Sequence, residues 1–171
     1  LTGSARVRVS FVISGHAVGK GRPRMRVVNA AGGKTFASAY TPSKTRKHEA
    51  TVRLYAQQAM NGRPPVGVQM RLTVIQVFAV PQSWARKPRK AALAGVIRPT
   101  VKPDWDNIAK SVSDAINGVV FLDDKQVVSA RVEKWYGPQP ELEVVVETIE
   151  NMPRAATNNA AQLVLGLANH D

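Results

Sequence analysis

Between Lys102 and Gln126 the chain reads KPDWDNIAKSVSDAINGVVFLDDKQ, with aspartates at 104, 106, 114, 123 and 124. Residues 1–100 carry one carboxylate, Glu49, against 18 lysines and arginines, whereas residues 101–150 hold ten of the twelve acids. Carboxylates brought to one point repel one another and do not all stay ionised unless a cation joins them. Mg²⁺ takes oxygen ligands in near-octahedral geometry, usually a few carboxylates with waters and substrate phosphate, and Mn²⁺ accepts the same ligands. Such an ion activates water, polarises a phosphorus–oxygen bond and stabilises the leaving oxygen. A lysine nearby neutralises the charge that develops on the phosphate. The residues of the right types are Asp104, Asp106, the Asp123–Asp124 pair and Lys110.

These groups need elements to place them. Pro103 biases Lys102 away from helix, so Asp104 stands at a junction where it serves as N-cap of a helix running to Asn117, with Gly118 at its end. On a helical wheel Trp105, Ile108, Ala109, Val112, Ala115 and Ile116 share an apolar face. Asp106, Asn107, Lys110, Ser113, Asp114 and Asn117 share the polar one. The plainest reading of Asp106 and Lys110 is an i,i+4 ion pair. Val119–Leu122 reads as a strand ending in an Asp123–Asp124 turn, which is itself an ordinary turn pair. Gln126–Trp135 continues as a strand with Val128, Ala130 and Val132 on one side. A hairpin of these strands packed beside the helix would return the turn towards the helix N-terminus.

Upstream lies a basic body. Ala5–Ser14 alternates Val7, Val9, Phe11 and Ile13 with mostly polar residues, the period of a strand with one buried face. Gly15–Arg26 places Lys20, Arg22, Arg24 and Arg26 two residues apart, an extended arm suited to phosphates. Its Gly19/Gly21 pair lacks the residues of a phosphate-binding loop. Residues 24–30 and 34–40 predict a hairpin around Ala31-Gly32-Gly33. Thr41-Pro42 starts a helix, with Thr41 as cap, that runs to Met60 and is stopped by Asn61-Gly62. Val52, Tyr55, Ala56 and Ala59 form its core stripe, and Lys44, Arg46, Lys47 and Arg53 its basic outer face. Val66–Val80 is a long strand ended by Pro81. Ser83–Gly95 is a basic excursion with a short helix over 88–93, where Arg86, Lys87, Arg89 and Lys90 beside Trp84 read either as a second candidate patch for contacting DNA or as a common surface loop anchored by Trp84. Glu141–Ile149 is the last strand.

The sum is an α+β fold, a small mixed β-sheet with two main helices, in the order β-ββ-α-β-(α)-β-α-β-β. Residues 1–150 form one domain, and 151–171, rich in Ala, Asn and Leu, form a tail that is unfolded or a short docking helix. A net charge of +12 and a pI near 10.6 favour nucleic acid as partner. The absence of cysteine excludes disulfides and thiol chemistry. His16, His48 and His170 are too scattered for a zinc or histidine nuclease motif. No apolar run reaches the ~20 residues that cross a bilayer, and the first residues have no signal-peptide core. The expectation is a soluble cytoplasmic protein with no membrane association and no small-molecule cofactor.

The 102–127 stretch resembles the signature of RusA-type Holliday-junction resolvases: a PDxDN segment, a lysine four residues on, a DALNG-like helix end and a DDxQV turn. Here these are Asp104, Asp106, Asn107, Lys110, the run Asp114–Gly118, and Asp123–Val127. GKGRPR, the YTPSKTRKHE helix start and the Val66–Val80 strand resemble the family too, so the likeness covers roughly residues 7–149. It implies a homodimeric, Mg²⁺-dependent endonuclease that nicks opposing strands of a DNA four-way junction in a bacterial or phage-infected cell. Asp104, Asp106 and Asp124 match the family's essential carboxylates and Lys110 its catalytic lysine, leaving Asp114 and Asp123 structural. The competing readings are a non-catalytic basic nucleic-acid-binding protein and a metal nuclease acting more broadly on branched or single-stranded DNA.

Overall fold

The structure, a computed structural model, describes residues 6–16, 18–29 and 35–149. The tail proposed for 151–171 and the turn of the predicted hairpin lie outside the described residues. Strand β1 (Arg8–Ser14) buries Val9, Phe11 and Ile13 on one face, following its sequence alternation. Then come β2 (Arg24–Asn29) and β3 (Thr35–Tyr40), α1 (Ser43–Met60), β4 (Met70–Ala79), α2 (Arg86–Leu93), α3 (Trp105–Ile116), β5 (Val127–Gly137) and β6 (Glu141–Thr148).

Four strands make one sheet in the order β1-β6-β4-β5. β6 is antiparallel to both of its neighbours, and β4 and β5 run parallel, so the sheet is mixed. A parallel pair needs a crossover, and α2 and α3 supply it. The inner face of the sheet presents Val9, Phe11, Met70, Leu72, Val74, Leu142, Val144 and Val146. Val52, Ala56 and Met60 of α1 and Ile108, Val112, Ala115 and Ile116 of α3 close over them. Burying each such large apolar side chain contributes about 1.5–3 kcal/mol. Gln76 is buried among these strands, and its amide donates to the Glu141 carbonyl at 2.8 Å and the Val77 carbonyl at 3.0 Å.

β2 and β3 form a separate two-stranded sheet. Met25 and Val27, on one face of it, are 65% and 72% exposed.

Several expectations are corrected. No strand lies between α2 and α3. Pro99 and Pro103 cannot donate to a ladder, and side chains hold the segment instead: Arg98 donates to the Lys134 carbonyl, and Lys134 to the Val101 and Pro103 carbonyls. Val119–Leu122 is not a strand either. Val119, Val120 and Phe121 plug the core as a turn, and Phe121 makes isolated bridges to Val66 and Asn117. A short apolar run does not distinguish the two cases by periodicity. β4 begins at Met70 rather than Val66, and α2 two residues before Pro88. Pro42, not Thr41, is the N-cap of α1, and no side chain caps it. Asn61 ends α1 in the left-handed conformation (φ 47°), its N–H donating to Gln57 and Gln58 carbonyls, as the Asn-Gly stop predicts. Tyr55 is 37% exposed and does not belong to the core stripe. In β5 a bulge between Met70 and Arg71 of the partner strand sets Val127 opposite Met70 and Ser129 opposite Arg71. The extra residue, Val128, is 57% exposed, whereas Val127 and Val132 pack against the core.

His48, half-buried on α1, gives the fold a pH dependence. Burial pushes its imidazole below the ordinary 6.5, against the opposing pull of Glu49. The unfolded chain then takes up this proton first, so stability is full above about pH 6.5 and is lost as pH falls below it towards the folded value. The thermal midpoint should fall between pH 7 and pH 5, and His48→Gln should flatten that part of the profile.

Candidate active site at the mouth of helix α3

Asp104 is the N-cap of α3, in extended backbone (φ −69°, ψ 154°), yet its side chain makes no capping bond. Asp106 lies in the first turn. Both are exposed, and among the described residues neither carboxylate has a hydrogen bond or ion pair. Uncommitted carboxylates at a helix start are hard oxygen donors open to a cation or a water.

Asp104 helps to line a cleft of about 940 Å³ whose other charged lining groups are Lys20, Arg22, Arg24, Lys44 and Lys102. One wall is the arm 18–24, and the opposite walls are the starts of α1 and α3. The two glycines dismissed as a phosphate loop make this wall possible. A Cβ on Gly19 would stand 2.7 Å from Pro103 Cβ and 3.2 Å from Asn107 Cβ, and one on Gly21 would stand 2.7 Å from Thr45 Oγ1. With no Cβ there, the Lys20 N–H donates to the Asn107 carbonyl at 3.0 Å and the Gly21 N–H to Thr45 Oγ1 at 3.2 Å. Gly19→Ala should cost about 1–3 kcal/mol through overpacking and speed hydrogen exchange at the Lys20 amide, read by urea melts and mass spectrometry.

Lys20 is held rather than free. Its ammonium meets Glu49 at 2.6 Å and Asp114 at 2.8 Å. Burial alone would lower its pKa, but the hydrogen bonds it donates to Asp114 and Glu49 outweigh that and raise it. The arm is thus pinned to α1 and α3 together. Sequence reasoning missed this role, although a signal was present: Glu49 is the one acid in the first 100 residues.

Of the remaining predicted residues, Lys110 pairs with Asp114 at 3.5 Å and not with Asp106. Asp114 therefore links Lys110 to Lys20. Trp105, expected in the core, is 66% exposed. At the first position of the helix it lies beyond the stretch that packs on the sheet. Arg26 sits over the Tyr40 ring at 5.8 Å, and Arg86 and Lys87 are exposed on α2. None of these three cations lines the cleft. Trp84 packs edge-on against Tyr136 at 5.2 Å, so it anchors its loop.

The second acid pair forms a 3₁₀ turn, Asp124–Gln126. Asp123 caps it: its carboxylate accepts from the Lys125 N–H, and the Gln126 side chain reaches back to the Asp123 N–H. The Lys125 backbone N–H, aided by its ammonium, holds the Asp123 carboxyl below the usual carboxylate range. Asp124 is exposed. The turn does not return to the N-terminus of α3, as a hairpin would have brought it. β5 pairs in parallel with β4, which leaves the turn beyond the C-terminal end of the helix, and Gln126 donates to the Val68 carbonyl there. Among the described residues no three acids or histidines are gathered closely enough to hold a metal. Within one chain the three carboxylates do not make a complete site for a divalent ion.

A mixed α+β fold that sets one free carboxylate, Asp104, on the wall of a cationic cleft suits the binding of a phosphate polyanion. Residues 14–147 match the family described as endodeoxyribonuclease RusA. The chain belongs to this family and is a DNA endonuclease of the Holliday-junction class. It is also 34% identical over 142 residues to YqaN of Bacillus subtilis (strain 168), an uncharacterised protein, covering 82% of this chain and 96% of that relative. No helix among the described residues is long and apolar enough to cross a membrane.

Proposed function

We propose that the chain resolves four-way DNA junctions by paired, divalent-metal-dependent nicks on opposing strands, working as a homodimer in the cytoplasm. The observation that carries this reading is the free Asp104 carboxylate on a cleft wall whose other charged groups are all cations. Arg22, Arg24, Lys44 and Lys102 provide phosphate contacts, which supply most of the affinity for DNA and make it fall steeply with salt. The first turn of α1 also opens onto the cleft and contains no acid. Its free N–H groups and the positive end of its dipole suit a phosphate.

Asp104, Asp106 and Asp124 are the residues assigned to the metal, Mg²⁺ or Mn²⁺, which when bound would supply an activated water and polarise the scissile bond. Lys110, exposed on the polar face of α3, is assigned to the charge that develops on the phosphate. Junction shape rather than base sequence sets selectivity. A two-fold dimer presents two equivalent sites, as paired cuts require. Support for a second copy comes from the β2–β3 hairpin, because an isolated two-stranded sheet is marginal in water and its Met25 and Val27 are bare.

The test is strand cleavage of a labelled junction across Mg²⁺ and Mn²⁺ concentrations, with the mass of the protein measured in parallel. Cutting should appear only with a divalent ion, stop on chelation and come from a dimer. Cutting undiminished in excess chelator would refute the metal assignment.

A further inference from the structure

Lys20 touches the polar face of α3 at two places. Its N–H donates to the Asn107 carbonyl at 3.0 Å, and its ammonium reaches Asp114, two turns further along. Asn107, Lys110 and Asp114 follow one another at i, i+3 and i+7, in one row on the helix surface. Lys110 thus lies between the two points at which Lys20 is fixed. The same ammonium meets Glu49 of α1 at 2.6 Å, so one side chain ties both helices to the arm.

The two oxygens of Asp114 are divided between two lysines. Lys20 stands 2.8 Å from Oδ2 and Lys110 3.5 Å from Oδ1. Charge-assisted N–H···O bonds run at about 2.7–2.9 Å, so Lys20 makes one and Lys110 does not. Exposure follows the same division: the side chain is 24% exposed for Lys20 and 64% for Lys110. An ion pair taken partly out of water attracts more strongly than one on the surface. The two lysines and the two carboxylates, Glu49 and Asp114, cancel in charge. Without Lys20, two carboxylates face one lysine, and Lys110 is the cation already in contact with Asp114.

Building on the reading in which Lys110 acts on the phosphate, we propose that Lys20 is a positioning residue for Lys110. By occupying Asp114 it leaves the Lys110 ammonium loosely held and open to a phosphate. Glu49 draws on the same Lys20 ammonium and so sets how much of its charge Asp114 receives. Removing Lys20 and removing the charge of Glu49 then have opposite effects on Lys110. The first tightens its pair with Asp114, and the second loosens it. A lysine that merely braced the arm against α1 and α3 would give no such opposition, since either change would weaken the brace.

Trace acetylation of the lysine amines, read by peptide mass spectrometry on the protein without DNA, measures how firmly Lys110 is held. Its labelling should be slower than in wild type by at least about twofold in Lys20→Met, the lower end of the coupling found between neighbouring charges, and faster in Glu49→Gln. Single-turnover cleavage of a junction, with binding measured separately in chelator, reads the consequence. Lys20→Met should cut about tenfold more slowly, with a smaller change in junction affinity, and Lys20→Arg should recover most of that rate. Adding Asp114→Asn to Lys20→Met should recover it as well, because the carboxylate that holds Lys110 is then neutral. In a Lys110→Ala background Lys20→Met should cost nothing further.

Lys110 labelling that moves the same way in both single variants, or in neither, would overturn the proposal. So would an equal loss of rate from Lys20→Met with and without Lys110, a double variant no faster than Lys20→Met, or a loss confined to junction affinity, which would make Lys20 a phosphate contact. If Lys20→Met does not fold, Glu49→Gln carries the test: faster Lys110 labelling upholds the proposal, and slower or unchanged labelling overturns it. Opposed labelling changes with no junction cutting by wild type would uphold the coupling of Lys20 to Lys110 and refute the nuclease reading. Junction cutting by wild type with Lys110 labelling unmoved would do the reverse.

Discussion

Asp106→Asn is expected to abolish junction cleavage while leaving junction binding equal to wild type or tighter. Asp106 is exposed in the first turn of α3 and has no partner among the described residues, so the fold does not depend on its charge. Losing even a residue that orients a metal ligand commonly costs about 10–100-fold. Loss of the ligand itself should lower the cleavage rate by more than about 100-fold. Binding moves the other way, because the substitution removes a negative charge from a surface that meets phosphates. Band-shift titrations in chelator and single-turnover cleavage in Mg²⁺ separate the two effects. A variant that still cuts near the wild-type rate would show that Asp106 is not a ligand.

Lys110→Ala is the second large effect. Removing one preorganised group that stabilises developing charge typically costs about 10²–10³-fold in turnover, and a loss of that size is expected here with little change in junction affinity. The fold should hardly notice. The Lys110 side chain is 64% exposed and its pair with Asp114 is at 3.5 Å, the kind of surface ion pair worth about 0–1 kcal/mol. Thermal melts and single-turnover rates measured on the same samples check this. A fall in activity that follows a fall in melting temperature would return Lys110 to a structural role.

Much of the fold was legible because burial leaves a period. The alternation of Val9, Phe11 and Ile13 gave β1, and Ile108, Val112 and Ala115 gave the buried face of α3. The Asn61-Gly62 stop gave the end of α1 through backbone chemistry alone. What failed lay where local pattern and tertiary placement part. Trp105 fits the apolar stripe on a wheel, but a helix packs on a core only over part of its length, and its first residue lies past that edge. Phe121 belongs to an apolar run that the core uses as a plug and not as a strand. Val128 is exposed beside a register shift that only the partner strand reveals.

For the site, the residue types were legible and their convergence was not. The spacing of Asp104, Asp106 and Lys110 on one helix is local, and the structure keeps it. The place of Asp124 depends on which strand β5 pairs with, and the parallel pairing to β4 sends its turn to the far end of α3. Lys20, read as a phosphate contact, is engaged by Glu49 and Asp114, a pairing across 29 residues in one case and 94 in the other. Gly19 and Gly21 matter for what they lack, and a motif search for phosphate loops does not ask that question.

The most direct measurement is a denaturing-gel analysis of two substrates of matched sequence, a four-way junction and a linear duplex, each incubated with the protein and Mg²⁺. A junction resolvase built on this cleft should give a pair of symmetric nicks on opposing strands of the junction and leave the duplex intact. Equal cutting of junction and duplex, or no cutting of either in any divalent ion, would contradict it.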